Sequence, residues 1–332
     1  MGTVGTRQSM AIGPTAAARL NAVQSVLAMA AQRSRLSNNR WHFQHGPIDL
    51  VISAEGDSSV VDAAHEAAWQ RFTEVLPELV QELAQLRLAV RGQCRLHGPV
   101  AQRMWQACQP FEANFITSMA AVAGSVADEL ITQYTRAGVQ RAWVNNGGDI
   151  ALHLAPTQSL RVGLYADLAR LDAAQLRGGL ELDGHLDVSA EMPVRGVATS
   201  GWRGRSFSLG IADSVTVLAR TAAQADAAAT VIANAVNVVD ARVQRQPASA
   251  LKDNSDLGDR LVTTEVPRLE SNLVQRALKT GRQKAQTLRA AGLIHAATLV
   301  CQNQHVAVYP PGHNGLHGLV LACHSNGTSE HD

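Results

Sequence analysis

The sequence predicts an α+β fold: antiparallel-dominated sheets packed with long helices, arranged as two related hairpin–helix units. Short runs of alternating apolar residues come in pairs joined by turn residues, which marks hairpins. Between the pairs lie long stretches with helical period. Adjacent strand-like runs are mostly joined by short turns, and the long crossovers that parallel strands need are scarce. The hairpin-then-helix order occurs near 40–88 and again near 194–238.

Residues 1–39 read as an N-terminal extension with one Ala-rich helix near 15–33, and 40–310 as the main domain. "RWHFQHGPIDLVISAEG" places Trp41 and Phe43 before His45-Gly46-Pro47, and Ile48, Leu50 and Ile52 after it, which predicts a hairpin. Val61, Ala64, Ala68, Phe72, Val75 and Leu79 then keep helical period, with Ser59 and Asp62 as the expected cap. A second long helix is expected from about Thr117 to Ala137, stopped by Gly138. "RAWVNNGGDIALHL" reads as strand, Gly-Gly turn and strand, and "RVGLY" as a short strand. "LELDGHLDV" reads as a hairpin with Asp183-Gly184 at its tip, and "VRGVATSG" and "SFSLGIADSVTVLA" as further strands. A helix over about 221–238, a loop "PASALKDNSDLGDR", a helix from Val266 to about Ala291 and a closing hairpin "GLIHAATLVCQNQHVAVYP" complete the domain. The tail, 311–332, is polar and Gly-rich and is expected to be flexible.

Composition narrows the function classes. At 46% hydrophobic over 332 residues the chain can bury a substantial core. Its 29 basic and 28 acidic residues nearly cancel, so no bulk field draws nucleic acid or an anionic membrane. Aromatic residues at 4% argue against a base-stacking surface. The Ala-rich run "LNAVQSVLAMAAQ" is too short and polar to span a bilayer and lacks the apolar centre of a secretory signal. Cys94, Cys108, Cys301 and Cys323 lie far apart, without a CxxC, so a cytoplasmic location is expected. The expected partner is a small anionic molecule, with a homo-oligomer left open.

Three stretches carry candidate chemistry. In "QADAAATVIANAV", Asp226, Thr230 and Asn234 recur at one-turn spacing and share a face of an otherwise apolar helix. Asp226 and Thr230 are hard oxygen donors of the kind Mg²⁺ takes. The alternative is a capping Asp226 and a Thr230 bonded back to a carbonyl. In "VNNGGDI", Gly147 and Gly148 permit positive φ and a turn whose N–H groups hold an anion, while Asn145 and Asn146 suit a polar ring edge. The alternative there is a plain hairpin turn. In "ATSGWRGRSFSLGIAD", Thr199, Ser200 and Gly201 end a strand, and Arg203 and Arg205 follow, a set suited to phosphate or carboxylate. The alternative is a solvated Arg loop. His313 and His317 stand in a Gly-rich loop without the helix or the Glu of a zinc motif.

Taken in order, "SMAAVAGSVADELI", "GVQRAWVNNGGDIAL", "VATSG" and "SVTVLARTAAQADAAATVIANAV" resemble the ApbE-like superfamily, whose best-known members are flavin transferases. "RWHFQHGPIDLVI", "MAAVAG", "NNGGDIA", "GWRGRSFSLGIADSVTVLA" and "SDLGDRLVT" bring the resemblance closer to the UPF0280 family, over about 40–310. The resemblance implies a cleft built by two hairpin-and-helix units. The flavin transferases split FAD at its pyrophosphate and pass FMN to a Thr or Ser, with Mg²⁺ held by an Asp and a Thr four apart. It therefore implies Asp226 and Thr230 as metal residues, Mg²⁺ and FAD or FMN as cofactors, and Gly147, Gly148 and Asp149 in the cleft. Asp128 matches the Asp of the superfamily's "AVD" segment. One loop departs from the flavin enzymes: their catalytic His has Ser208 or Leu209 in its place.

The candidate catalytic residues are thus Asp149, Ser208 and Asp213. The substrate-binding candidates are Asn145, Asn146, Gly147, Gly148, Thr199, Ser200, Gly201, Arg203 and Arg205. The expected activity is metal-assisted transfer or hydrolysis on a flavin-like or other anionic ligand. A hydrolase of a small carboxylated ring compound without flavin, and a non-catalytic flavin or ligand carrier, are the alternatives.

Overall fold

A computed structural model describes residues 30–164, 184–204 and 206–310. The first unit begins with strands β1 (Gln32–Arg35), β2 (Trp41–His45) and β3 (Ile48–Gly56). Helices α1 (Ser58–Gln81), α2 (Pro99–Cys108) and α3 (Val122–Ile131) follow, and the unit ends in the hairpin β4 (Val139–Asn146) and β5 (Asp149–Leu154). Next comes a separate antiparallel pair, β6 (Ser159–Leu164) and β7 (Gly184–Ser189). The second unit repeats the order. Strands β8 (Gly196–Ser200) and β9 (Ser214–Ala219) lead into α4 (Ala222–Ala235). A two-stranded side pair, β10 (Gln244–Pro247) and β11 (Leu261–Glu265), precedes α5 (Ser271–Ala290) and the closing hairpin β12 (Ala296–Cys301) and β13 (Gln304–Val308).

The two units share one sheet, ordered β1-β2-β3-β4-β5-β8-β9-β12-β13, and its strand pairings are antiparallel throughout. Side chains alternate across a strand, so each strand serves two faces. On one face Phe43, Leu50 and Ile52 meet Val61, Ala64, Ala68, Phe72 and Val75, the periodic stripe of α1. In the second unit Val215 and Val217 meet Ala225, Ala228, Ala229 and Ile232 of α4, and Val274, Ala277 and Leu278 of α5. On the other face Leu152, Leu154, Val197 and Leu218 are covered by Val162 and Val188 of the β6–β7 pair.

The seam between the units is narrow. Strands β5 and β8 pair only at Ile150↔Val197 and Ala151↔Gly196. Beyond that the ladder stops, and the Thr199 N–H donates instead to the Asp149 carboxylate at 3.2 Å. A side chain replaces a rung of the ladder, and the strand ends part there. Above the seam α3 and α4 come so close that a Cβ at Gly124 would stand 2.3 Å from the Ala222 carbonyl oxygen. The Ala-rich composition of α4 follows from this, because only small side chains fit between a sheet and a helix at that distance. Gly124→Ala is expected to destabilise the fold by about 2 kcal/mol through overpacking. Urea unfolding with an unchanged slope would measure it, and an unchanged midpoint would refute the close contact.

Several local expectations are corrected. The helix expected over Thr117–Ala137 is a 3₁₀ turn at Ser118–Ala121, α3 itself, and a second 3₁₀ turn at Thr132–Tyr134. Gly138, with φ +92°, precedes β4 rather than ending α3. The N-cap of α1 is Asp57, not Ser59, and it makes no side-chain capping bond. Helix α5 starts five residues later than expected, at Ser271 rather than Val266. The segment read as a loop after Pro247 contains a helical turn at Ala248–Leu251. Gly184 opens strand β7 and pairs with Leu164, and residues 180–183 of the expected hairpin lie outside the described residues. The helix expected near 15–33 lies up to residue 29 outside the described residues, and its last residues, Gln32 and Arg33, are in β1. The tail with His313 and His317 also lies outside them. No helix among the described residues is long and apolar enough to cross a membrane.

Candidate functional site

The site forms where β5, β8, α3 and α4 converge. Asp149, only 8% exposed, begins β5, and its Oδ1 accepts the Thr199 N–H. Asp226 is the fifth residue of α4, too far along to cap its own helix, whose N-cap is Thr221 with its hydroxyl accepting from Gln224 at 3.2 Å. Asp226 instead caps its neighbour: its Oδ2 accepts the Gly124 N–H at 3.0 Å, and the Ala123 N–H also bonds to it. These N–H groups at the start of α3 have no partner within that helix and carry the positive end of its dipole. The reverse contact exists as well. Asp128 of α3 accepts the N–H groups of Ala222 at 2.9 Å and Ala223 at 2.8 Å, at the start of α4. Each helix thus supplies the carboxylate that caps the other.

Asp149 and Asp226 are hydrogen-bonded to each other. Burial pushes Asp149 up to about 7, against the pull of the Thr199 N–H. Asp226 is pushed higher, by burial first and by the Asp149 charge second, with the Gly124 and Ala123 N–H groups opposing. Two carboxylates in contact do not both ionise unless a cation joins them. The two carboxyls share a proton, and the pair titrates as a unit.

The rest of the polar file on α4 splits its work. Thr230 is half-buried, and its hydroxyl has no hydrogen-bond partner among the described residues, so the back-bonded alternative does not apply. The Asn234 Oδ1 accepts the Leu209 N–H at 2.8 Å and the Ser208 hydroxyl at 3.2 Å. Ser208 is 2% exposed, and its oxygen also accepts the Gly210 N–H, so its hydroxyl serves the loop.

The Gly-Gly turn is a two-residue hairpin turn, with φ +65° at Gly147 and +113° at Gly148 and with Asn146 paired to Asp149. The angle at Gly148 favours glycine strongly, whereas that at Gly147 is one that Asn also adopts in this chain. The Gly148 N–H is taken by the Asn145 side chain at 2.8 Å. Asn146, 8% exposed, donates to the Ala123 carbonyl at 3.1 Å and so ties this turn to the start of α3. Thr199 has its hydroxyl 2.9 Å from that of Thr216. Ser200 and Gly201 follow at the end of β8, where Gly201 lies against the Asp213 backbone. Asp213 accepts from the Trp202 indole at 3.2 Å and from the Gln302 N–H at 2.5 Å, and Arg203 lies 3.9 Å from it and over the Trp202 ring. Asp213 therefore organises the Trp202–Arg203 loop. Arg205 lies outside the described residues.

The structure thus brings Asp149, Asp226, Thr199 and the Gly147–Gly148 turn together, and places Ser208 and Asp213 in the supports of neighbouring loops. Sequence reasoning missed the carboxyl contact itself and the two N–H groups of Ala123 and Gly124. No local signal announced them, since Gly124 and Asp226 are 102 residues apart.

A UPF0280 protein from Methanopyrus kandleri is 34% identical over 215 residues, which cover 62% of this chain and 78% of that protein. A UPF0280 protein from Methanothrix thermoacetophila is 34% identical over 166 residues, 49% of this chain and 59% of that protein. The crystal structure of an ApbE protein from Thermotoga maritima aligns over 85% of this chain and 97% of its own, at 11% identity and a TM-score of 0.41, a likeness too distant to place single residues. The family model described as AbpE bacteria matches residues 31–308, from β1 to the end of β13, so the chain belongs to the UPF0280 family within the ApbE-like superfamily.

Proposed function

We propose that the chain is a metal-assisted enzyme that transfers or hydrolyses a group on a small, phosphorylated or otherwise anionic substrate. The hydrogen-bonded carboxyl pair of Asp149 and Asp226, set where the two halves of the sheet part, supports this most. Such a pair takes either a shared proton or a cation. The donors fit Mg²⁺: Asp149 and Asp226 supply carboxylate oxygens, and Thr230, four residues on along α4, supplies an unpartnered hydroxyl. Bound there, Mg²⁺ would polarise a phosphoryl oxygen as a Lewis acid. The chain's own groups hold the frame. Ala123 and Gly124 orient Asp226, Thr199 orients Asp149, and Asn146 anchors the start of α3. A flavin pyrophosphate is one ligand of the right charge, so FAD and FMN are candidate substrates. At the position of the flavin transferases' His, however, Ser208 is buried and engaged, so this chain offers no general base there.

The carboxyl pair also favours a second reading. Two carboxyls sharing one proton form an acid–base couple that needs no metal. A hydrolase of a small carboxylated ring compound would use it in that form.

Competition between proton and cation separates the two. Asp149 rises in the folded state from about 3.9 to about 7, so the folded protein binds more protons than the unfolded chain across that window. Metal-free stability from Asp149 is therefore full below about pH 4, falls as pH rises towards 7, and then levels. A cation that replaces the proton gains affinity over the same range. The melting temperature should drop from pH 5 to pH 8 without metal, and millimolar Mg²⁺ or Mn²⁺ should restore it at pH 8. No response to either cation at pH 8 would leave the metal-free couple as the surviving reading.

A further inference from the structure

A separate cavity of about 610 Å³ lies beside the start of α3, within the size range of small-molecule sites. It is walled by the segment 85–96 on one side and by Trp105 and Ser118 on the other. Its two cations, Arg91 and Arg95, have no hydrogen-bond, ion-pair or ring partner among the described residues, and no carboxylate lines it. Leu88 reaches it while 65% exposed, and the half-buried Trp105 supplies a ring face. Gln85 and Gln93 add amide groups.

The walls are built. Val90 donates to the Ile116 carbonyl at 2.9 Å, and an isolated bridge joins Ala89 to Thr117. Glu112 accepts the Gly92 N–H at 3.1 Å, and Glu82 holds the N–H groups of His97 and Gly98 at 2.7 Å. The Thr117 hydroxyl is itself anchored on Asp256 at 2.5 Å. An apolar floor with an indole, two uncommitted guanidiniums and no acid matches one kind of ligand. We propose that this cavity binds a planar ring compound bearing a carboxylate or phosphate, the ring against Trp105 and Leu88 and the anion on Arg91 and Arg95.

Ser118 opens the 3₁₀ turn Ser118–Ala121 that leads into α3 and its N–H groups at Ala123 and Gly124. A ring held in the cavity thus lies beside the segment that leads to the carboxyl pair. Its assignment as the ring end of the substrate rests on the proposed function, whereas binding in the cavity does not.

Isothermal titration with 2-naphthoate and its neutral counterpart 2-naphthylmethanol tests it on the full chain. Wild type should bind 2-naphthoate at least about tenfold more tightly than the alcohol, as expected for charge-assisted hydrogen bonds. The exposed double variant Arg91→Ala/Arg95→Ala should lose that tenfold difference. Trp105→Leu should weaken both ligands. Asp226→Asn should bind naphthoate as wild type does, so a failed metal site would leave this result intact. No naphthoate binding by wild type, or binding unaffected by loss of both arginines, overturns the proposal.

Discussion

Asp226→Asn is expected to abolish the stabilisation that divalent metal gives the wild-type protein. At a metal concentration a hundredfold above Kd, binding to the native state alone adds about 2.7 kcal/mol. For a chain of this size that is a rise of roughly 4 °C in melting temperature. The substitution keeps the shape of the side chain, and its amide oxygen can still accept the Gly124 N–H now 3.0 Å away. What it removes is the second carboxylate. It also supplies an N–H donor to Asp149. Burial, not Asp226, holds Asp149 up at about 7, so the fall in stability from pH 5 towards pH 7 should persist in the metal-free variant. Scanning calorimetry at both pH values, with and without Mn²⁺, reads both effects. An equal metal shift in wild type and variant would take Asp226 out of the metal site, and a pH profile flat in both proteins would dismiss a buried, proton-holding Asp149.

How much of this was legible beforehand depended on the range of the interactions. The hairpins β2–β3, β4–β5 and β12–β13 were readable because turn residues and alternation lie within a few positions of each other. The stripe on α1 was readable for the same reason. The expected Thr117–Ala137 helix failed because its start answers to distant groups. Thr117 is tied to Asp256, and Ala121 sits at φ −130°, ψ 18°, outside helical geometry. That break lets α3 begin afresh with its first N–H groups aimed at Asp226. Within the site, the Asp226–Thr230–Asn234 file was legible as a helix face. Its division of labour was not: Asp226 serves another helix, Thr230 has no partner among the described residues, and Asn234 holds the loop at Ser208. Asp128 and Asp226 look alike as carboxylates near small residues, and only the fold tells them apart. Asp128 faces two backbone donors, whereas Asp226 faces two backbone donors and another carboxyl group.

That distinction yields a large expected stability effect at Asp128. Asp128 is 9% exposed, and its two oxygens separately accept the Ala222 and Ala223 N–H groups. Burial lifts its pKa above the usual carboxylate range, and the two N–H groups pull it back. In Asp128→Ala both donors lose their partner next to buried Ala225 and Ala228, where water has little access. A buried donor left unpaired costs about 1–3 kcal/mol. Loss of a helix cap alone costs about 1 kcal/mol. The expected destabilisation is therefore about 3 kcal/mol, or roughly 4 °C in melting temperature. Asp128→Asn keeps one acceptor and replaces the other by a donor facing an N–H, so it should recover only part of that loss. The metal response discriminates role from stability. Asp128→Asn, though weakened, should still gain stability from Mn²⁺ at pH 8, because Asp149, Asp226 and Thr230 are untouched. A variant at Asp128 that unfolds like the wild type would refute the mutual capping of α3 and α4. One that folds well but no longer responds to metal would move Asp128 from the frame into the site.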